Sequence, residues 1–286
     1  MKTAWGEMTW PEVAEAAEQG RVVLIPVGVV EQHGYHLPTQ TDVFLAEAIA
    51  RRAAERAPDR TIVLPPIVHG FVPHHMDFPG TITVRAPVFV DYCVDVCTSV
   101  VAHGFSKLLF VNGHGGNISA LDLAAKSVTL ETGAFCASIS HFELEPVKHA
   151  VAELKSSPNA GGMLHADEYE TSLYLAVDEQ AVQMDKAVSE YEVPESRYFW
   201  VDQFGGDGRI TSAKWIQPWS AFTDSGVAGD ATAATREKGE RWLAAAIEGL
   251  VELVAELHAR EIRPAKDKHG RASSDVVANN RRVGPW

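Results

Sequence analysis

A glutamate, two histidines and an aspartate stand close together in the stretch Pro26-Val-Gly-Val-Val-Glu31-Gln-His33-Gly-Tyr-His36-Leu-Pro-Thr-Gln-Thr-Asp42. Neutral imidazole and ionised carboxylate form a borderline ligand set that suits Zn, Mn or Fe better than Ca or Mg. These residue types therefore point to a metal site. Two further segments carry the same theme: the turn Asn112-Gly-His114-Gly-Gly-Asn117 and the run His165-Ala-Asp167-Glu168-Tyr-Glu170-Thr-Ser172. Glycines around His114 let the backbone turn sharply and leave the imidazole exposed. The competing reading of that turn is an anion cradle of backbone N–H groups, although it holds no Lys and does not match Walker or Rossmann spacing. Asp42 suits an N-cap, but a carboxylate there can also bridge two metals. On a helix His165 and Glu168 share a face, with capping by the acids as the competing explanation.

The elements that must position these groups follow from hydrophobic period. Val22 to Val30 is rich in β-branched residues and reads as a buried strand, so Glu31, His33 and His36 fall where strand gives way to loop. In an open α/β sheet ligands bind there. Thr9-Trp-Pro-Glu12 fits a capping box opening a helix to Gln19-Gly20. Helical spacing runs from Asp42 to Ala57 before Pro58. Ile62 to Ile67 reads as a strand, Val88 to His103 as a helix, Lys107 to Val111 as a strand and Ala120 to Glu131 as a helix. Ala134 to Ser140 is a further predicted strand, and Glu168 to Val177 and Arg236 to Arg260 are helices. Alternating strands and helices predict an α/β fold, a single domain with a mainly parallel β-sheet flanked by helices. Pro194 to Gly229, with Trp200, Trp215 and Trp219, breaks the rhythm as a long excursion. The domain is expected over residues 1–263, and the polar tail 264–286 is expected to be disordered.

Composition narrows the function classes. A formal net charge of -13 over 286 residues argues against a nucleic-acid partner held by phosphate contacts. No apolar run is long enough to span a bilayer, and the N-terminus lacks a signal-peptide core, so a cytoplasmic protein is expected. Three cysteines, Cys93, Cys97 and Cys136, are a poor start for a disulfide framework and are expected reduced. Cys93 and Cys97 could pair as metal ligands on one helix, against the plainer reading of buried packing.

Taken together, Glu31-Gln-His33-Gly-x-His-Leu-Pro with Thr41-Asp42, Asn112-Gly-His114-Gly-Gly-Asn117, His165-x-x-Glu168-x-Glu170-Thr-Ser172, and Ser225-Gly-Val-x-Gly-Asp230 before Ala234-Thr-Arg-Glu-Lys-Gly239 closely resemble the creatininase (creatinine amidohydrolase) family, from about Trp5 to about Glu256. The resemblance implies a mainly parallel α/β fold, two divalent metal ions per chain (Zn, Mn or Fe), hydrolysis of non-peptide C–N amide bonds, and a homo-oligomer, commonly a hexamer. Carried over by position, Glu31, Asp42 and His114 would hold one metal, and His33 and Asp42 the other. Creatinine-hydrolysing members resemble Asn-Gly-His-Tyr-Glu-Asn at the second motif, where their Glu is a ligand; this chain has Gly116. Glu168 offers a compensating ligand, because those members carry an apolar residue at its position, and Glu170 is the rival. Those members also place Trp-Asp shortly before the catalytic His, where this chain has Gly161-Gly162, which argues against creatinine itself.

The mechanism expected from the resemblance uses a hydroxide bridging two metals, since coordination lowers the pKa of water from about 16 to about 7. His165 would shuttle the proton to the leaving nitrogen, with Glu168 as the second catalytic candidate. Candidate substrate contacts are His74, His75, Gly115 and Gly116, with Phe71, Trp200 or Trp215 as possible aromatic lining. The expected substrate is a small cyclic amide or lactam. Within the family the alternatives are a formamidopyrimidine-nucleotide deformylase and a mycofactocin-type peptidase. From another class, the alternative is a non-catalytic anion- or nucleotide-binding protein.

Overall fold

The first helix, α1 (Trp10–Glu18), opens as predicted: the Thr9 amide donates to Glu12 Oε2 at 2.7 Å, and the Thr9 hydroxyl donates to the same oxygen. The computed structural model describes residues 1–157, 163–191, 203–204, 217–263 and 266. Gly161, Gly162, Trp200, Trp215 and the expected tail, Lys266 apart, lie outside the described residues.

Four parallel strands follow the predicted order in sequence: β1 (Val22–Val27), β2 (Thr61–Val63), β3 (Lys107–Asn112) and β4 (Phe135–Ser140). In space the order is β2-β1-β3-β4. The connecting helices are α2 (Thr41–Arg56), α3 (Ala86–Ala102) and α4 (Ile118–Thr132). The chain runs from β1 outward to β2, then crosses back to place β3 on the other side of β1. That reversal opens a crevice at the carboxyl ends of β1 and β3, the position where open α/β sheets bind ligands. β2 stops at Val63 rather than Ile67; Pro65 and Pro66 remove the backbone donors that would extend its ladder.

Strand residues alternate between two cores, as a sheet covered on both faces requires. Val22, Leu24, Leu109 and Val111 face Leu45 and Ile49 of α2 and a second layer made of α5 (Glu145–Leu154), α6 (Glu168–Asp178) and α7 (Arg236–Ala259). Val23, Ile25, Val27, Leu108 and Phe110 face α1, α3 and α4. Cys93 and Cys97 are buried in this second core, and Phe71 packs against it, so packing explains all three. α5 was not expected from the sequence; Trp242 of α7 is fully buried and donates from Nε1 to its Ala150 carbonyl at 3.0 Å. A small antiparallel sheet, also unexpected, joins β5 (Met163–His165), β6 (Ser189–Glu190) and β7 (Ala228–Asp230) in the order β5-β7-β6. Among the described residues no helix is long and apolar enough to cross a membrane.

Candidate metal centre

Two glycines bring the first ligands together. A Cβ on Gly28, just past β1, would lie 2.5 Å from the Val43 amide nitrogen, and one on Gly113, just past β3, would lie 2.3 Å from the Asp42 carbonyl oxygen. Only glycine lets the first turn of α2 press onto both strand ends. Asp42 therefore reaches the crevice from the second residue of its helix, and the N-cap position falls to Gln40, whose side chain makes no cap hydrogen bond.

His114 Nδ1 stands 3.1 Å from Glu31 Oε1 and 3.3 Å from Asp42 Oδ2. On the other side of Asp42, His33 Nε2 stands 3.1 Å from Oδ1 and 3.7 Å from Glu170 Oε2. The ligand atoms of Glu31, Asp42 and His114 lie within 4.8 Å of one another, and so do those of His33, Asp42 and Glu170. Asp42 is common to both groups. His33 Nδ1 lies 3.2 Å from the Glu31 carbonyl oxygen, a contact that orients the ring with Nε2 toward the carboxylates.

The chemistry of this donor set fits a cation. Glu31 is fully buried, yet neither of its carboxylate oxygens makes a hydrogen bond, and Asp42 Oδ2 makes none. Buried carboxylate oxygens in that condition are costly unless positive charge lies among them. The titration behaviour says the same. Burial lifts the Glu31 carboxyl to about 6 and holds that of Glu170 well above its ordinary range. Burial also opposes charge on His33 and His114, but Asp42 and Glu170 around the first, and Glu31 and Asp42 around the second, raise both imidazoles to about 10. Burial works against the Asp42 anion, and the two imidazoles outweigh it, holding that carboxyl far below its ordinary value.

His165 ends β5 instead of lying on a helix, so the expected shared helical face with Glu168 is not formed. The chain reverses through Ala166, whose φ of 49° is left-handed, and Asp167 caps α6 by accepting the Tyr169 and Glu170 amides at 2.8 and 3.0 Å. A non-glycine residue in that region marks local strain, which functional sites concentrate. The Ala166 amide donates to Glu170 Oε2 at 2.6 Å and fixes that carboxylate near His33. The His165 ring lies 4.4 Å from that of His33, with Nδ1 3.6 Å from Glu31 Oε1 and Nε2 2.8 Å from the Gln32 carbonyl. Burial and the nearby His33 hold its pKa well below the ordinary value, so it is neutral.

Glu168, expected to be a replacement ligand, is committed elsewhere. Its carboxylate accepts the Ser156 amide at 2.9 Å and the Ser157 amide at 2.8 Å, and it pairs with Lys238 of α7. Glu170, the rival, joins the cluster. His36, for its part, is drawn to α6, with Nε2 2.8 Å from the Thr171 hydroxyl.

Of the candidate substrate contacts, His75 is 1% exposed and stands beside a carboxylate of the cluster, its Nδ1 3.2 Å from Glu31 Oε2. His74 is half-buried and stacks at 5.7 Å on the His114 ring. A Cβ on Gly116 would lie 2.4 Å from His114 Nε2, so this glycine lets the imidazole pack on the backbone, whereas one on Gly115 would meet nothing within 4 Å. Trp219, which sequence reasoning placed in the excursion but not at the site, stacks on His75 at 4.3 Å and meets the edge of His165 at 5.2 Å. The signal for it is its place six residues before Ser225-Gly-Val-x-Gly-Asp230, the last of the ordered motifs.

The creatininase family profile, described as creatinine amidohydrolase, matches residues 6–254. Among curated relatives, a 3-dehydro-scyllo-inosose hydrolase of Thermotoga maritima is 28% identical, over 88% of this chain and 83% of that protein. A mycofactocin precursor peptide peptidase of Mycolicibacterium smegmatis is 31% identical, over 82% of this chain and 84% of that protein. The creatinine amidohydrolase of Pseudomonas putida is 27% identical, over 88% and 95%. Solved structures agree: a creatininase crystal structure superposes with a TM-score of 0.76 at 25% identity, covering 91% of this chain and 99% of the other. A mutant creatininase described as Zn-Zn type gives 0.76 at 25% identity, covering 91% and 100%. With the profile matching residues 6–254 and the fold superposing over 91% of the chain, the protein belongs to the creatininase family.

Proposed function

We propose that the protein is a metal-dependent hydrolase of a non-peptide C–N amide bond, most consistent with a small cyclic amide or lactam. The observation that carries this reading is the pair of ligand groups sharing Asp42, with neutral His165 beside them. Glu31, Asp42 and His114 would hold one divalent ion, and His33, Asp42 and Glu170 a second. Lewis acidity, which acidifies water and polarises a carbonyl oxygen, is what divalent ions bring to such a ligand set. His165 is placed to take a proton at Nδ1 and return it to the leaving nitrogen, a task suited to an imidazole that rests neutral. Burial of the cluster strengthens every one of these electrostatic interactions.

Among the described residues, the neighbours of the cluster include Gln32, His74, His75 and Trp219, and no Lys or Arg makes an ion pair or hydrogen bond with its carboxylates. That environment suits an uncharged substrate better than a phosphorylated nucleotide, which Arg or Lys ordinarily clamps. The zinc and manganese forms named for the solved creatininases concern those proteins; for this chain the donor set supports Zn, Mn or Fe. The test is elemental analysis of the purified protein, followed by a hydrolysis screen. The screen should contain cyclic amides and lactams, creatinine, and a short peptide of the kind the peptidase relatives cleave. About two transition-metal ions per chain with turnover of a cyclic amide is the expected outcome. Folded protein that takes up no transition metal, yet binds phosphate in the presence of chelator, would replace this reading with an anion binder.

A further inference from the structure

The proton-handling role of His165 depends on which ring nitrogen is bare, and the residue that decides this is Gln32, between the two ligands Glu31 and His33. Gln32 is 6% exposed. Its Oε1 accepts the Gly34 amide at 2.9 Å, and its Nε2 donates to the Gly226 carbonyl at 2.9 Å. An N–H facing one end and a C=O facing the other leave a single orientation for the carboxamide. The second Nε2 hydrogen has two imidazole nitrogens within reach, His75 Nδ1 at 3.2 Å and His165 Nε2 at 3.1 Å. The main-chain carbonyl of Gln32 stands closer to the same His165 nitrogen, at 2.8 Å. A ring nitrogen in the plane of the ring cannot donate and accept at once. His165 Nε2 therefore donates to the carbonyl, and the amide hydrogen goes to His75 Nδ1. The opposite assignment would put a proton on His75 Nδ1 with Glu31 Oε2 as its acceptor, yet that oxygen makes no hydrogen bond.

We infer that the Gln32 carboxamide is a positioning group that holds His75 as its Nε2–H tautomer, while the main-chain carbonyl of the same residue holds His165 as its Nε2–H tautomer and leaves His165 Nδ1 bare on the side of the ligand cluster. The inference rests on the hydrolase reading above for its purpose, though its geometry stands on Gln32 alone. Gln32 also anchors a second element. The Gly226 carbonyl accepts from both Gln32 Nε2 and Trp219 Nε1, each at 2.9 Å. The indole that stacks on His75 is thus tied to the same carboxamide that sets the His75 tautomer. Gly226 has a φ of +88°, and a Cβ there would lie 2.0 Å from Gln32 Oε1, so no other residue lets the loop and the carboxamide meet.

The test is 15N NMR of the zinc-loaded full chain labelled at histidine nitrogens, on wild type, Gln32→Leu and Gly226→Ala. Wild type should show a protonated Nε2 and a bare Nδ1 for both His165 and His75. In each variant His75 should lose its single tautomer while zinc content stays at the wild-type level; His165, held by a main-chain carbonyl, should keep its own in Gln32→Leu. Gly226→Ala displaces the carboxamide without altering either imidazole or Gln32, so agreement between the two variants separates tautomer control from a local packing defect. A His165 protonated at Nδ1 in wild type, or a His75 pattern unchanged in both variants, would overturn the inference. If wild type takes up no zinc, the hydrolase reading fails instead, and the same tautomer criteria apply to the metal-free chain.

Discussion

Glu168 and Glu170 stand two positions apart in the first turn of α6, and their carboxylates go to different places: Glu168 to Lys238, Glu170 to within 3.7 Å of His33. Residues at this spacing do not share a helical face, so only one can enter the crevice. Glu170→Gln should remove about one of two bound metals per chain with little loss of fold. Glu168→Gln should keep the metal but leave the Lys238 ammonium without its buried anion, a defect worth about 3 kcal/mol. Elemental analysis and urea unfolding of the two variants decide the assignment; metal loss in Glu168→Gln alone would reverse it.

The approach of α2 to the strand ends gives a second prediction. Gly113→Ala would drive a methyl into the Asp42 carbonyl oxygen, a backbone atom that cannot swing aside. Overpacking of this kind costs about 2 kcal/mol, and the displaced Asp42 serves both ligand groups. Thermal melting should show a lowered transition, and the protein should lose both metals more readily to chelator. Gly115→Ala, two residues on, meets open space and should melt and hold metal as wild type does.

Protonation supplies a third. In the metal-free protein burial opposes the charge on His33 and His114, but the neighbouring carboxylates carry both to about 10. Imidazoles must be neutral to ligate, so metal uptake at pH 7 should release about two protons per chain from these groups. Affinity should therefore rise with pH. Titration calorimetry in buffers of different ionisation enthalpy reads the number directly, and a buffer-independent heat would contradict it. Stability of the metal-free chain should move the other way. The folded form holds these protons between the ordinary histidine value of 6.5 and about 10, whereas the unfolded chain does not. Their contribution is complete below 6.5 and is lost as pH climbs through 10.

What was legible in the sequence divides along physical lines. Strands buried on both faces announce themselves as β-branched runs, so β1 and β3, and with them Glu31, His33 and His114, could be placed at strand ends from periodicity alone. Asp42 was legible as a ligand or a cap, and the packing of α2 against Gly28 and Gly113 sets it inside the first turn, facing the crevice, rather than at the cap position. The choice between Glu168 and Glu170 was not legible, because it turns on Lys238 and the Ser156 and Ser157 amides, which are remote in sequence. Short strands such as β5 and β7 have no period to read, and so the sequence left His165 without an element of its own, sharing a face with Glu168 only if the helix reached back to it. Trp219 has no period to read either, only its nearness to the Ser225-Gly-Val-x-Gly-Asp230 motif; its place beside His75 comes from the turn at Gly226.

The last prediction separates holding metal from moving protons. His165 lies within reach of Glu31 and His33 as a third ligand-like group, which allows a reading in which it binds metal directly. Two observations favour the proton role: the two ligand groups that share Asp42 form without it, and its ring is held by Nε2 on the Gln32 carbonyl with Nδ1 3.6 Å from Glu31 Oε1. His165→Asn should therefore retain the wild-type metal content while slowing turnover of the best cyclic amide from the screen by about 100- to 10,000-fold, the usual worth of a positioned acid–base group. The loss should fall mainly on kcat, because proton delivery to the leaving nitrogen is needed in the transition state and not for binding. Loss of a metal ion together with activity would instead make His165 a ligand and leave the proton to another group.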